Sequence, residues 1–466
     1  MQQKKWKDKK QQKKEEAEKR QNKKGEDLSA EFLADLKKSG VYCEMQKVDF
    51  IPTGCLTLNK IIGDGSQTNK AGGFPRGYIT ELFGAESSGK STIAAHAAKV
   101  VLSKGERVVW ADFEHSFQLQ IPYYQKIGLN VKDSNLFVIT PKNFEDGVLR
   151  IGQSLFKLNP PPALIIIDSV TAMMPKANVE ADAGETVQIG LHAKLFGTFM
   201  NYITKYLDEK KTALLLLNQL RVDITMSSMP GRHGGPKMIS SGGNATKFFA
   251  AVRIQLLPDS FHDEETTGTN AITGETGQKK LYSGAIKAIC VKNKYDLPYK
   301  SGPVYMTVGK GIDNIMSLVI LGENTKIIKT ATAGWLSWED PNKQHSFKIQ
   351  GRVNLVKHLE QNPEALKALM PYLNPSESND AKFMRKVELE EKGVENLEAS
   401  EKKELKKLQE QLKDYKPDES PMDGEVEVEA ETPSPKDEAA LSELNEMLSV
   451  KEEDTNVGIR DKEEKK

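Results

Sequence analysis

One octapeptide constrains this chain more than any other stretch: Gly84, Ala85, Glu86, Ser87, Ser88, Gly89, Lys90 and Ser91, in that order. It fits the spacing G-x-x-x-x-G-K-[ST]. It lies between "YITELFG" (78–84), which reads as a strand, and "KSTIAAHAAKVVLSKG" (90–105), which reads as a helix. A glycine-rich loop at a strand-to-helix junction aims backbone N–H groups and the positive end of a helix at one point. A nucleotide polyphosphate suits such a point. Lys90 reaches its β- and γ-phosphates, Ser91 ligates Mg²⁺, and Thr92 completes the lining.

Three further residues sit where strands end. Asp168 closes the apolar run "ALIIID", and a carboxylate at such an exit can hold Mg²⁺ through water. A helix N-cap is the other use for it, and Ser169 beside it is ambiguous. Glu114 ends "RVVWADFE" (107–114), where a carboxylate can accept a proton from attacking water, although a surface glutamate reads the same way. Gln219 follows "ALLLLN" (213–218). Its amide can donate to a γ-phosphate and accept from water, and so report which nucleotide is bound.

The surrounding pattern predicts an α/β fold. "LFVIT" (136–140) and "ALIIIDS" (163–169) are further apolar strands, with helices predicted over 143–158 and about 190–208. Nearly continuous apolar strands alternating with helices imply a mostly parallel sheet covered on both faces. "FFAAVRIQLL", "GAIKAICVK" and "GPVYMTVG" follow without long helices between them and extend the sheet antiparallel. The predicted core spans 48–325, and 326–373 forms a small α+β lobe in which "RVNLVKHLEQNPEALKALMPYL" (352–373) is helical. Residues 374–466 comprise a charged helix (386–415) and an acidic, proline-containing tail. Residues 1–47 comprise a basic segment and an amphipathic helix, 27–40, which docks on its own core or on a neighbouring subunit.

Charge sharpens the picture at the ends. The 466 residues balance 66 basic against 66 acidic side chains, but 1–25 carries a net of +7 and 418–454 a net of −12. Such blocks are solvated tails that bind, regulate or keep a protein in solution. The three cysteines, Cys43, Cys55 and Cys290, make neither a disulfide framework nor a CxxC zinc pair. There is no run as apolar as a membrane span and no signal-peptide core. The expectation is a soluble cytoplasmic protein with no membrane partner.

The motifs "ELFGAESSGKST", "ADFEH", "LIIIDSV", "LNQLR", "SGGNATKFFAAVRI" and "VKNK" occur in the order found in the RecA family of DNA strand-exchange recombinases. The chain resembles that family over roughly residues 50–373. The charged ends and the insertion-like "GDGSQTNKAGG" are those of a divergent member, of the UvsX-like kind that viruses encode. The resemblance implies a RecA-like P-loop ATPase core that uses ATP and Mg²⁺. It also implies helical filaments on single-stranded DNA, pairing with double-stranded DNA, DNA-stimulated hydrolysis, and single-strand-binding and loader proteins as partners.

Residue by residue, the resemblance makes Glu114 the catalytic glutamate and Gln219 the γ-phosphate sensor heading the second DNA-binding loop. Arg221, Gly242, Gly243 and Asn244 match that loop and its far side, and Lys247 and Phe248 the return where one subunit packs on the next. Residues 178–189 match the first DNA-binding loop, with Lys194 just beyond it. Lys292 and Lys294 match lysines that reach the ATP of the adjacent subunit, and Tyr123 and Pro298 match the adenine sandwich. Two departures stand at the base. Gln118 replaces an aspartate in a segment two residues longer than the family's, and Val308 replaces a tyrosine.

The stretch after Gln219 fits the implied task. Arg221, Arg232, His233 and Lys237 face one acid, Asp223, among glycines and methionines. Flexible cationic loops hold single strands without reading their sequence. The acidic tail can occupy the cationic DNA groove and raise the threshold for duplex entry. The alternative within this core is a ring ATPase, either a replicative helicase or a branch-migration motor. Branch-migration motors usually carry an N-terminal zinc site, which three scattered cysteines do not supply, and ring helicases lack the "SGGNATKFF" return.

Overall fold

The computed structural model describes Phe32 and residues 48–63, 72–180, 190–222, 238–240, 243–269, 276–307 and 309–373, with shorter pieces at 386, 389–390, 397 and 399–412. For 221–222, 238–240, 243–244, 259–269, 276–282, 399–401, 404 and 411 it describes backbone only. The chain divides into two units, Met1–Val48 and Asp49–Lys466. In the first, Phe32 is helical; the rest of the helix expected at 27–40 lies outside the described residues. So do 64–71 of the insertion-like segment, 181–189 of the first loop, Arg232, Lys237, Gly242, Val308 and the tail from 413 onward.

The second unit opens with β1 (Phe50–Ile51), α1 (Leu56–Ile62) and β2 (Phe74–Pro75). An alternating series follows: β3 (Ile79–Gly84), α2 (Lys90–Ser103), β4 (Val108–Asp112), α3 (Phe117–Lys126), β5 (Leu136–Ile139), α4 (Phe144–Lys157) and β6 (Leu164–Asp168). Short α5 (Lys176–Val179), long α6 (Leu191–Lys210), β7 (Ala213–Val222), β8 (Met238–Ser240) and α7 (Gly243–Phe249) complete the half that carries the loops. Then come β9 (Val252–Thr269), β10 (Thr276–Asn293), β11 (Ser301–Thr307), β12 (Gly311–Asp313) and α8 (Asn314–Asn324). The main sheet runs β12-β11-β10-β9-β3-β7-β6-β4-β5, with β8 beside β7. From β9 to β5 neighbouring strands are parallel, and β10, β11 and β12 join antiparallel.

Side-chain alternation explains why this sheet needs two covers. Leu82, Trp110, Ile166, Leu215, Leu217 and Ile254 pack on one face with Ile93, Ala94, Ala97 and Val101 of α2. Ile79, Val109, Ile165, Ile167, Leu214 and Leu216 pack on the other with Val148 and Ile151 of α4 and Leu195, Phe196 and Phe199 of α6. At the start of α4, the Asn143 side chain accepts from Asp146 N at 2.9 Å, a cap of about 1 kcal/mol.

Three elements differ from the sequence reading. First, β7 does not stop at Asn218; it continues to Val222 and pairs there with β8, because the polar groups at its end find buried partners. Second, β9 and β10 are 18 residues each and stay paired out to Thr269 opposite Thr276, beyond β9's last β3 partner, Leu256. Third, the helix expected over 352–373 is two helices, α9 (Arg352–Gln361) and α10 (Pro363–Leu369). Pro363 has no N–H to carry a helix through Asn362, and it serves instead as the first residue of α10.

The lobe expected at 326–373 contains a three-stranded sheet, β13 (Lys329–Ala331), β14 (Trp335–Trp338) and β15 (Phe347–Gln350). Its Leu336, Trp338, Leu355 and Leu369 share one buried cluster with Leu318 and Leu321 of α8 and Tyr305 of β11. Farther on, α11 (Ala399–Gln411) buries Leu405 and Leu408 in a small cluster with Leu389 and Leu397.

Candidate active site

The fold delivers the octapeptide to the carboxyl end of β3, in the centre of the sheet. A Cβ on Gly84 would lie 2.4 Å from Leu256 O, and one on Gly89 would lie 2.7 Å from Met306 Sδ. Gly89 also has φ +78, in the left-handed region that favours glycine. The strands beside the loop therefore require glycine at both of its ends. Lys90 is buried there, and its Nζ donates to Gly84 O at 3.1 Å, Ala85 O at 2.7 Å and Ser88 Oγ at 3.2 Å. Burial lowers its pKa, against the pull of Glu114, Asp168 and Glu86.

Asp168 stands across from the start of α2. It accepts from Ser91 Oγ at 3.1 Å, so a hydroxyl and a carboxylate meet where the loop closes. Burial first, then the Glu114 charge, pushes the Asp168 carboxyl up to about 7. A cation beside it relieves that penalty. Among the described residues no cluster of three His, Cys, Asp or Glu could hold a metal by itself. The pair fits Mg²⁺, which takes one or two protein oxygens and leaves its other positions to phosphate and water. When bound, the ion neutralises charge on the phosphates.

Glu114 is fixed from two directions. Its backbone N–H and that of Phe113 donate to Asp168 O at 3.2 and 2.7 Å, which ties the exits of β4 and β6 together. Its Oε1 accepts from Gln219 Nε2 at 3.0 Å and from Ser169 Oγ at 2.5 Å. The β3–β7 register sets Gln219 opposite Gly84, so the amide stands level with the start of the loop. Ser169 gave no signal in sequence beyond its place after Asp168; its role as a donor to Glu114 depends on two strand ends meeting.

The remaining expected residues are spread around this centre. The Tyr123 hydroxyl lies 2.9 Å from Thr92 Oγ1, which holds the ring beside α2. Pro298 lies in the turn after β10, half-buried. Lys292 Nζ donates to the carbonyls of Lys247 and Phe248, the two residues before the last of α7. Burial, then the charges of Lys294 and Arg253, brings Lys292 down to about 8. Phe248 is 74% exposed although it is aromatic. Lys294 is exposed, and its backbone N–H donates to Ala251 O at 3.0 Å. Lys194 lies in the first turn of α6. Arg221 pairs with Ile239 through β7 and β8, and Gly243 and Asn244 begin α7.

A parallel sheet whose central strand runs through G-x-x-x-x-G-K-S into a helix, with a carboxylate at the next strand exit but one, defines a P-loop nucleotide-hydrolase core. Within that class the chain belongs to the RecA family: residues 36–313 match the family described as RecA N-terminal domain. It is 34% identical over 318 residues to Protein RecA of Picosynechococcus sp., covering 68% of this chain and 80% of that protein. It is 33% identical over 326 residues to Protein RecA of Bacteroides thetaiotaomicron, covering 70% and 87%. Membership places it among the DNA recombination and repair proteins that use ATP. Among the described residues no helix is long and apolar enough to cross a membrane.

Proposed function

We propose that this chain is a DNA-dependent ATPase that assembles into helical filaments on single-stranded DNA and carries out homologous pairing and strand exchange. The observation that carries the reading is the position of Gln219. Its amide is bonded to Glu114 beside the phosphate loop, and β7 continues from it without a break to Val222, where the Gly/Met/basic segment begins. A γ-phosphate that takes the Gln219 amide would pull on the strand that holds this segment. DNA binding to the ordered segment then tightens ATP binding by the same factor.

Glu114 is the group that orients water and takes its proton. Lys90 and the loop N–H groups hold the triphosphate, and Ser91 and Asp168 hold Mg²⁺. Exposed Phe248, with Lys292 and Lys294, forms the face for the next subunit, so that ATP sits between subunits and the contact repeats head to tail. The basic 1–25 segment and the acidic tail then modulate DNA entry. Electron microscopy of the chain with single-stranded DNA and a non-hydrolysable ATP analogue tests the reading. Continuous helical filaments are expected; closed rings would establish the ring-motor alternative instead.

A further inference from the structure

A buried polar row crosses the sheet on the face covered by α6. Thr171 Oγ1 donates to Asn218 Oδ1 at 3.1 Å, and Asn218 Nδ2 donates to Glu81 Oε1 at 2.8 Å. Arg253 Nε donates to Glu81 Oε2 at 2.6 Å, and its guanidinium lies 4.7 Å over the Phe83 ring. Glu81 and Asn218 are fully enclosed and Arg253 nearly so. Its links lie just past β6 and on β7, β3 and β9, and the neighbouring side chains on this face, Ile79, Leu214 and Leu216, are apolar.

Packing alone does not call for this row. An apolar trio of similar volume holds strands together as well as a buried ion pair does, and often better. What sets the row apart is where it ends. At one end Thr171 Oγ1 accepts from Gln219 N at 3.4 Å, and Asn218 is the sequence neighbour of Gln219. At the other end Arg253 pairs with Lys292 in the β9–β10 register, and Lys292 holds the Lys247 and Phe248 carbonyls in the last turn of α7. Arg253 and Glu81 also act, with opposite signs, on the Lys292 charge.

We propose that Glu81, with Arg253, is a positioning pair that couples the Gln219 end of β7 to Lys292 and the end of α7 at Phe248. The inference rests on the reading above, in which Gln219 responds to nucleotide. Glu81 divides its oxygens between the two sides: Oε1 serves β7 and Oε2 serves β9. A displacement of Asn218 with Gln219 therefore changes the hydrogen bonding of the carboxylate that orients Arg253, and so the field at Lys292. In a packed layer such a shift is passed on rather than absorbed.

The test uses the full chain and a double variant, Glu81→Leu with Arg253→Met, which removes both charges together. Thermal unfolding, binding of a fluorescent ATP analogue, and hydrolysis with and without single-stranded DNA are measured. The expected result is a melting point within a few degrees of wild type and stimulation by DNA reduced about ten-fold, within the usual range of coupling between sites. Adding Gln219→Ala to the double variant should then change stimulation little further, a non-additivity that a purely structural role would not produce. Should the double variant fail to fold, Thr171→Val removes the Gln219 end of the row by a near-isosteric change, and a several-fold loss of stimulation is expected. Stimulation equal to wild type in a folded variant overturns the positioning role alone. A wild-type chain whose hydrolysis ignores DNA overturns both this inference and the reading on which it rests.

Discussion

Gln219 and Glu114 share a hydrogen bond of 3.0 Å, from the amide nitrogen of one to Oε1 of the other. The two residues are 105 positions apart; Gln219 lies within β7 and Glu114 just past β4, with β6 between those strands. The bond joins the residue proposed to handle water to the residue that heads the loop segment. Gln219→Ala breaks it while leaving Lys90, Ser91 and Asp168 in place. Nucleotide affinity should remain within about three-fold, and stimulation of hydrolysis by single-stranded DNA should fall about ten-fold or more. Parallel titrations of a fluorescent ATP analogue and of hydrolysis against DNA concentration check it; normal stimulation would sink the sensor role.

Glu114→Gln keeps the size of the side chain and an acceptor for Ser169, and it removes the proposed base. Hydrolysis should drop by about 10²–10⁴-fold, with nucleotide binding retained. Complexes with DNA should outlast those of the wild type, since release follows hydrolysis. Lys90→Ala should behave differently and abolish nucleotide-dependent DNA binding. Single-turnover kinetics and filter binding separate the two outcomes.

The pH dependence of assembly should follow Lys292. Its pKa is lowered to about 8, by burial first and then by Lys294 and Arg253. The folded value lies below the unfolded one, so the stability linked to this group is present at high pH and lost as pH falls through about 8. Function runs the other way: above about 8 the free chain carries a neutral amine there, and cation-dependent assembly weakens. Lys292→Arg keeps its charge at any working pH and should move the alkaline limb of the assembly rate upward. An unshifted limb assigns the titration to another group.

Phe248→Ala separates folding from association. The side chain is 74% exposed, so its loss should change unfolding free energy by no more than about 0.5 kcal/mol. If it is the anchor for a neighbouring subunit, the variant should remain a folded monomer under conditions where the wild type assembles on DNA. Sedimentation beside a denaturant melt reads both quantities; unimpaired assembly removes Phe248 from the interface.

The phosphate loop and the apolar strands were legible because their signals are local: a fixed spacing, and runs such as "ALIIID" that only a doubly covered sheet accommodates. What local reading missed is held by partners distant in sequence. Asn218 and Gln219 looked like the end of a strand, but β7 carries on because Glu81 and Thr171 satisfy Asn218 from two other segments. Ser169 was ambiguous because its acceptor, Glu114, is 55 positions away. The helix at 243–249 begins with Gly and Asn, poor helix formers, and the Lys247 and Phe248 carbonyls in its last turn are held by Lys292 from another strand. In each case the deciding contact appears only once the sheet has been assembled.

The two glycines that bound the phosphate loop answer to different neighbours: Gly84 to Leu256 on β9, and Gly89 to Met306 on β11. The octapeptide is thus fitted to the β9 and β11 strands of the sheet as well as shaped for a phosphate. It is not a portable cassette. Grafting it into another nucleotide-binding protein, or exchanging the 252–307 region with that of a distant relative, would have to move both together, because they constitute one heritable unit.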